Sequence, residues 1–128
     1  MKRLAIAAAI VAGLALSSAA VAAGTLSGTY KTKVHTTALG GQLNGTWTIK
    51  FKTGAYTVTD AGKVVIHGKY TIKSGKISLT DKSGPDKCPG TGVYKFKLTG
   101  KALKFTKVSD KPACIGRQTV LAGNFTKV

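Results

Sequence analysis

The chain is 128 residues long and carries 20 Lys plus Arg against 4 acidic residues, a formal net charge of +16. That length allows one domain with a modest core. The sign of the charge excludes the acidic face that an inhibitor of basic lysozymes would present, and 2 His with 4 acids leave few side chains for acid–base or metal chemistry.

The first element is a targeting segment. Lys2 and Arg3 give a positive start, Leu4 to Leu16 is apolar apart from Gly13, and Ser17-Ser18 leads into the small residues Ala19 to Ala23. This order is that of a secretory signal peptide over residues 1–23, cut before Ala23 or Gly24. A transmembrane anchor is the alternative, but the run is Ala-rich, broken by serines and barely long enough to span. No Cys lies near the cut, which excludes a lipoprotein anchor. The expected location is therefore secreted, in the extracellular space or cell envelope. Removing 23 of the 128 residues leaves 105, residues 24–128, as a single domain. That domain has 18 cations against 4 acids, all Asp, and Arg117 is its one arginine.

Eight strands are expected in the mature part. They fall near Thr25–Thr36, Leu43–Lys52, Ala55–Thr59, Lys63–Lys73, Lys76–Asp81, Gly92–Thr99, Ala102–Val108 and Arg117–Val128. The signal is alternation. Trp47, Ile49 and Phe51 alternate with Thr48, Lys50 and Lys52, while Val64, Ile66, Tyr70 and Ile72 share one parity opposite Lys69, Thr71 and Lys73. No stretch has a convincing helical period. Thr53-Gly54, Asp60-Ala61-Gly62, Ser74-Gly75 and Gly100-Lys101 are hairpin signals, because Gly and Asp supply unusual turn dihedrals. Short hairpins give an antiparallel meander. Eight such strands close most economically into an up-and-down barrel, with an open sandwich as the alternative.

Gly-x-aromatic recurs at Gly28/Tyr30, Gly45/Trp47, Gly54/Tyr56, Gly68/Tyr70, Gly92/Tyr94 and Gly123/Phe125. Residues two apart on a strand share a face, so each aromatic is expected to cover backbone that its glycine exposes. Cys88 and Cys114, 26 positions apart, read as a disulfide in an oxidising compartment; a redox pair would usually be more closely spaced. On the chain-entropy estimate the bridge stabilises by about 3–4 kcal/mol. In a meander both cysteines lie in loops at one end, together with the long connections and all four Asp residues. Binding functions usually sit on such loops.

The meander, Gly45-Thr46-Trp47 and a late Arg117 resemble the lipocalin family in the broad calycin sense. The phrase from Asp110 through Cys114 to Arg117 resembles small secreted bacterial lipocalin-like domains. One departure is that Gly45 falls on the second strand, where the lipocalin motif opens the first. The resemblance implies a binder of a small apolar or amphipathic ligand and an indole packed against the late Arg. Trp47, Tyr94, Phe105 and Arg117 are the pocket candidates. The inward set is bulky, so a shallow pocket at the disulfide end is expected rather than a deep calyx.

Lys31, Lys33, Lys50, Lys52, Lys69, Lys73, Lys76, Lys95, Lys97 and Lys104 fall on the outward parity. Such a wall favours anionic cell-surface polymers, for which Lys50, Lys52, Lys69, Lys95 and Lys97 are the candidates; it equally serves solubility and protection against strand aggregation. Nucleic acid is not expected, given export and a single mature Arg. His35 and His67 read as outward surface residues. Neither metal nor cofactor is expected, nor catalysis, and the domain is expected to be a monomer.

Overall fold

In the computed structural model, which describes residues 26–128, alternation decides the architecture. The signal peptide expected over residues 1–23 lies outside the described residues. Eight antiparallel strands run β1 (Gly28–Val34), β2 (Gly45–Lys52), β3 (Ala55–Asp60), β4 (Lys63–Lys73), β5 (Lys76–Ser83), β6 (Thr91–Thr99), β7 (Ala102–Ser109) and β8 (Asn124–Lys127). Each pairs with its chain neighbour and β8 pairs back on β1, so the meander closes into a barrel. The hairpins are as tight as the turn residues require. Thr53-Gly54, Ala61-Gly62 and Ser74-Gly75 all have positive φ at both positions, the backbone of a type I′ turn.

The last strand differs from the sequence expectation. Arg117–Val128 is not continuous strand; it divides into a helix, α1 (Ile115–Leu121), and the four-residue β8. β8 pairs with β1 at only Tyr30↔Lys127 and Lys31↔Thr126, so it closes part of the barrel height. α1 packs against β7 and β1 over the remainder. Val120 and Leu121 supply its buried face, three and four residues after Arg117. A seven-residue helix is too short to display a period, and Thr and Val at 119–120 imitate a strand.

A second difference concerns Val64. It has the parity of Ile66, yet it is 48 % exposed. The β3–β4 register shifts between Val58 and Thr59, so parity counted back from Ile66 fails beyond the irregularity.

The two barrel ends are built differently. At the short-turn end, Leu26 is buried. Its N–H donates to the Tyr70 hydroxyl (3.1 Å), which donates in turn to the Leu26 carbonyl (2.7 Å). Above this plug the interior is aromatic. Phe51 meets Tyr70 edge-on at 5.5 Å, and Phe105 meets Phe125 at 5.6 Å and Tyr94 at 6.5 Å. Gly68 shows why glycine is needed within the wall: a Cβ there would overlap the Tyr56 ring and approach the Thr80 carbonyl oxygen to 2.7 Å. Tyr56 lies directly across from it on β3. Here the covering aromatic comes from the neighbouring strand, not from Tyr70 two residues on. At Gly92, by contrast, Tyr94 of the same strand does come close, at 3.0 Å.

Candidate functional site

The other end carries the connections after β1, β3, β5 and β7, and there the interior is not filled. A cavity of about 480 Å³ opens among Trp47, Ile49, Val58, Ile66 and Leu79, with the Cys88–Cys114 bridge and α1 at its rim. The inward-facing residues of β2 to β5 make the apolar wall because alternation places them there. Leu39 and Leu43 add apolar surface from the β1–β2 connection, and Ile115 adds it from the first position of α1. Trp47 is held in place because its indole Nε1 donates to the Leu43 carbonyl at 2.7 Å. The disulfide joins cysteines whose Cα atoms are 5.7 Å apart, tying the β5–β6 loop to the start of α1.

One side of this cavity is polar and buried. Arg117 grips Asp110 with two hydrogen bonds, Nε to Oδ2 at 2.9 Å and Nη2 to Oδ1 at 2.7 Å. This two-point contact is the strong form of a guanidinium–carboxylate pair. Nη2 also donates to the Gly90 carbonyl at 3.3 Å and approaches the Cys114 sulfur at 3.5 Å. Tyr94 donates its hydroxyl to Asp110 Oδ2 at 2.5 Å. On the far side, Asp81 Oδ1 accepts the Tyr56 hydroxyl at 2.5 Å and Oδ2 accepts the Cys88 N–H at 2.9 Å. Arg117 Nη1 stands 3.6 Å from Asp81 Oδ2, an ion-pair distance too long for a hydrogen bond, and among the described residues it has no hydrogen-bond acceptor. The Arg117, Asp81 and Asp110 side chains are 5 %, 1 % and 0 % exposed.

The electrostatics follow from that enclosure. Bonding to Asp110 raises the Arg117 pKa against the opposing effect of burial, so the guanidinium stays charged. Burial pushes the Asp110 carboxyl up, but donors from Arg117, Tyr94 and the Lys111 backbone outweigh it and hold the group below its ordinary value. Burial raises the Tyr56 phenol, reinforced by Asp81, and raises the Tyr94 phenol, reinforced by Asp110. Asp60, Asp81 and Asp86 all line the cavity, against Lys87 and Arg117. The cavity of this strongly basic chain therefore carries one more negative than positive side chain.

Of the four pocket candidates, Trp47 and Arg117 line the cavity. Tyr94 and Phe105 do not: the Tyr94 hydroxyl is committed to Asp110, and Phe105 is locked among the rings of Phe51, Tyr94 and Phe125. Trp47 and Arg117, the pair that the lipocalin resemblance implies to be in contact, line the same cavity, and the hydrogen bonds of Arg117 go to Asp110, Gly90 and Cys114. Lys50, Lys52, Lys69, Lys95 and Lys97 are exposed on the outer wall, as are His35 and His67. Some lysines face one another directly across strands: Lys73↔Lys76, Lys76↔Lys95 and Lys97↔Lys104.

Asp81, Asp110 and Tyr56 were not singled out from the sequence as site residues. A signal existed, since Arg117 is the single Arg after Arg3 on a strongly Lys-rich chain, which points to a position that needs the guanidinium fork. Among the described residues no group of three His, Cys, Asp or Glu is placed to hold a metal ion, and no helix is long and apolar enough to cross a membrane. No family model, curated protein or solved structure matches this chain.

Proposed function

We propose that this protein is an exported, non-catalytic, lipocalin-like barrel that takes a small apolar or amphipathic molecule at its disulfide end. The observation that carries the reading is the contrast between the two halves of the interior. One half is plugged by Leu26 and interlocking aromatic rings, while the other leaves about 480 Å³ against apolar side chains. That volume is in the range of small-molecule sites. The rim is pinned by a disulfide and by a buried ion pair, which keeps the mouth preformed and reduces the ordering cost of binding. Export is supported by residues 1–23 and by the paired cysteines. The test is native mass spectrometry of protein purified from its own host. The reading expects a fraction carrying a small-molecule mass that organic extraction removes; uniformly unliganded protein from several growth conditions counts against it.

A second reading rests on the facing lysines. Like charges directly opposite cost roughly 0.2–1 kcal/mol per pair, and Lys73, Lys76 and Lys95 form such a row across three strands. An anionic cell-surface polymer lying across the wall would relieve that repulsion. Release from cell envelopes by salt is the expected behaviour, because exposed charges are screened; retention in high salt refutes it.

A further inference from the structure

The cavity carries more information than its apolarity. Its polar side holds one guanidinium between two carboxylates. Asp110 is saturated by Arg117, Tyr94 and the Lys111 N–H, whereas Asp81 Oδ2 accepts only from the Cys88 N–H. Among the described residues Arg117 Nη1 is a buried donor without an acceptor, and Asp81 Oδ2, 3.6 Å away, has only the Cys88 N–H as a hydrogen-bonded donor. A buried unmatched donor is costly, and an acceptor that reaches it recovers that cost.

The charge count selects which acceptor. Asp81, Asp110 and Arg117 together sum to one negative charge. A ligand carboxylate here would add a second uncompensated negative charge in a desolvated place, which is strongly unfavourable. A neutral oxygen adds none. A hydroxyl suits the pair best, since it accepts from Nη1 and donates to Asp81 Oδ2, after a small movement of the guanidinium toward the cavity. From these observations we infer that the ligand is an uncharged, oxygen-headed apolar molecule, such as a long-chain or polycyclic alcohol, whose head meets Arg117 and Asp81. Its body lies against Trp47, Ile49, Val58, Ile66 and Leu79. Free fatty acids and other anionic amphiphiles are rejected from the cavity even though the outer wall is basic. This inference rests on the ligand-binding reading above and adds the chemistry of the head group.

Four probes with a ten-carbon chain test it on the unmodified mature protein: decan-1-ol, decane, decanoate and decyltrimethylammonium. Trp47 is the chain's single tryptophan and lines the cavity, so its emission reports occupancy. Titrations at high salt suppress adsorption of decanoate to the surface lysines. Decan-1-ol is expected to bind at least about tenfold tighter than both decane and decanoate, the effect of one hydrogen bond to a charged group. In Arg117→Gln the margin of decan-1-ol over decane should collapse. That variant also loses a structural ion pair, so the comparison among probes on the unmodified protein decides. Equal binding of decane and decan-1-ol overturns the head-group inference and leaves the cavity reading intact. Tightest binding of decanoate or of the ammonium probe overturns it too, assigning recognition to the positive or the negative partners alone. Failure of all four probes sinks both.

Discussion

Replacing Arg117 with methionine keeps much of the side chain's apolar stem and removes the guanidinium that Asp110 and Asp81 face. Two hydrogen bonds to Asp110, at 2.9 and 2.7 Å, and the 3.6 Å approach to Asp81 are lost together. The carboxylates stay enclosed, so the larger part of the cost is the charge left behind. Breaking a buried pair in this way destabilises by about 3–5 kcal/mol. Domains of this size have about 5–15 kcal/mol in total, so the variant retains a folded population but a fragile one. The pH dependence separates this mechanism from simple loss of packing. In the unmodified protein the Asp110 pKa lies below its unfolded value of about 3.9, so its stabilisation is fully present above that pH and disappears as pH falls through the folded pKa. In Arg117→Met the lowering effect of the cation is gone while burial and the donors Tyr94 and Lys111 N–H remain, so the Asp110 pKa rises relative to the unmodified protein and less of its ionised-state stabilisation is present near neutrality. The difference between the two proteins in urea unfolding should therefore be greatest near pH 7 and shrink below pH ~4. A loss under ~1 kcal/mol, or one that is the same at both pH values, refutes this account of the cluster. An Asp110→Asn, Arg117→Met cycle should give a coupling energy well above the error of the method.

Three further outcomes follow from the same geometry. Reducing the Cys88–Cys114 bridge should cost about 3–4 kcal/mol in denaturant unfolding; it should also disturb the cavity, because the Cys88 N–H that bonds Asp81 belongs to the tethered loop, and Trp47 emission reports that second effect. Gly68→Ala should destabilise by at least about 1–3 kcal/mol, the usual cost of overpacking, because the added methyl meets the Tyr56 ring and the Thr80 carbonyl; a thermal melt within error of the parent contradicts the close fit. Alkaline titration of the phenols should show Tyr56 and Tyr94 un-ionised well past pH ~10. Their raised folded pKa values contribute stability below the unfolded value that is lost as pH rises through the folded one, so their ionisation should coincide with unfolding; normal titration of all tyrosines in the folded state rules this out.

The hairpins were legible because Thr53-Gly54, Ala61-Gly62 and Ser74-Gly75 are short two-residue links that demand positive φ, and this sets both pairing and direction. The disulfide end followed from counting alternate loops. α1 was not legible, since seven residues cannot display a helical period and its role, covering the wall beside a short β8, exists only in the closed barrel. The buried cluster was hidden for a related reason. Tyr56, Asp81, Tyr94, Asp110 and Arg117 come from β3, β5, β6, the end of β7 and α1, and no local pattern links them. Trp47 and Arg117 reached the cavity lining, while Tyr94 and Phe105 were drawn into the bonds and ring contacts beneath it. Strand parity says which face a residue takes; its height along the barrel depends on register.

The central claim is that the disulfide end is an open, occupiable cavity beside an incompletely satisfied arginine. A crystal structure of the mature protein purified from its own host and never extracted with organic solvent tests this most directly. The account predicts continuous non-protein density between Trp47 and Arg117, with a polar atom of that density within hydrogen-bond distance of Arg117 Nη1. A closed interior, with the side chains of Leu39, Leu43 and Ile115 collapsed into the space and Nη1 bonded to Asp81, contradicts it.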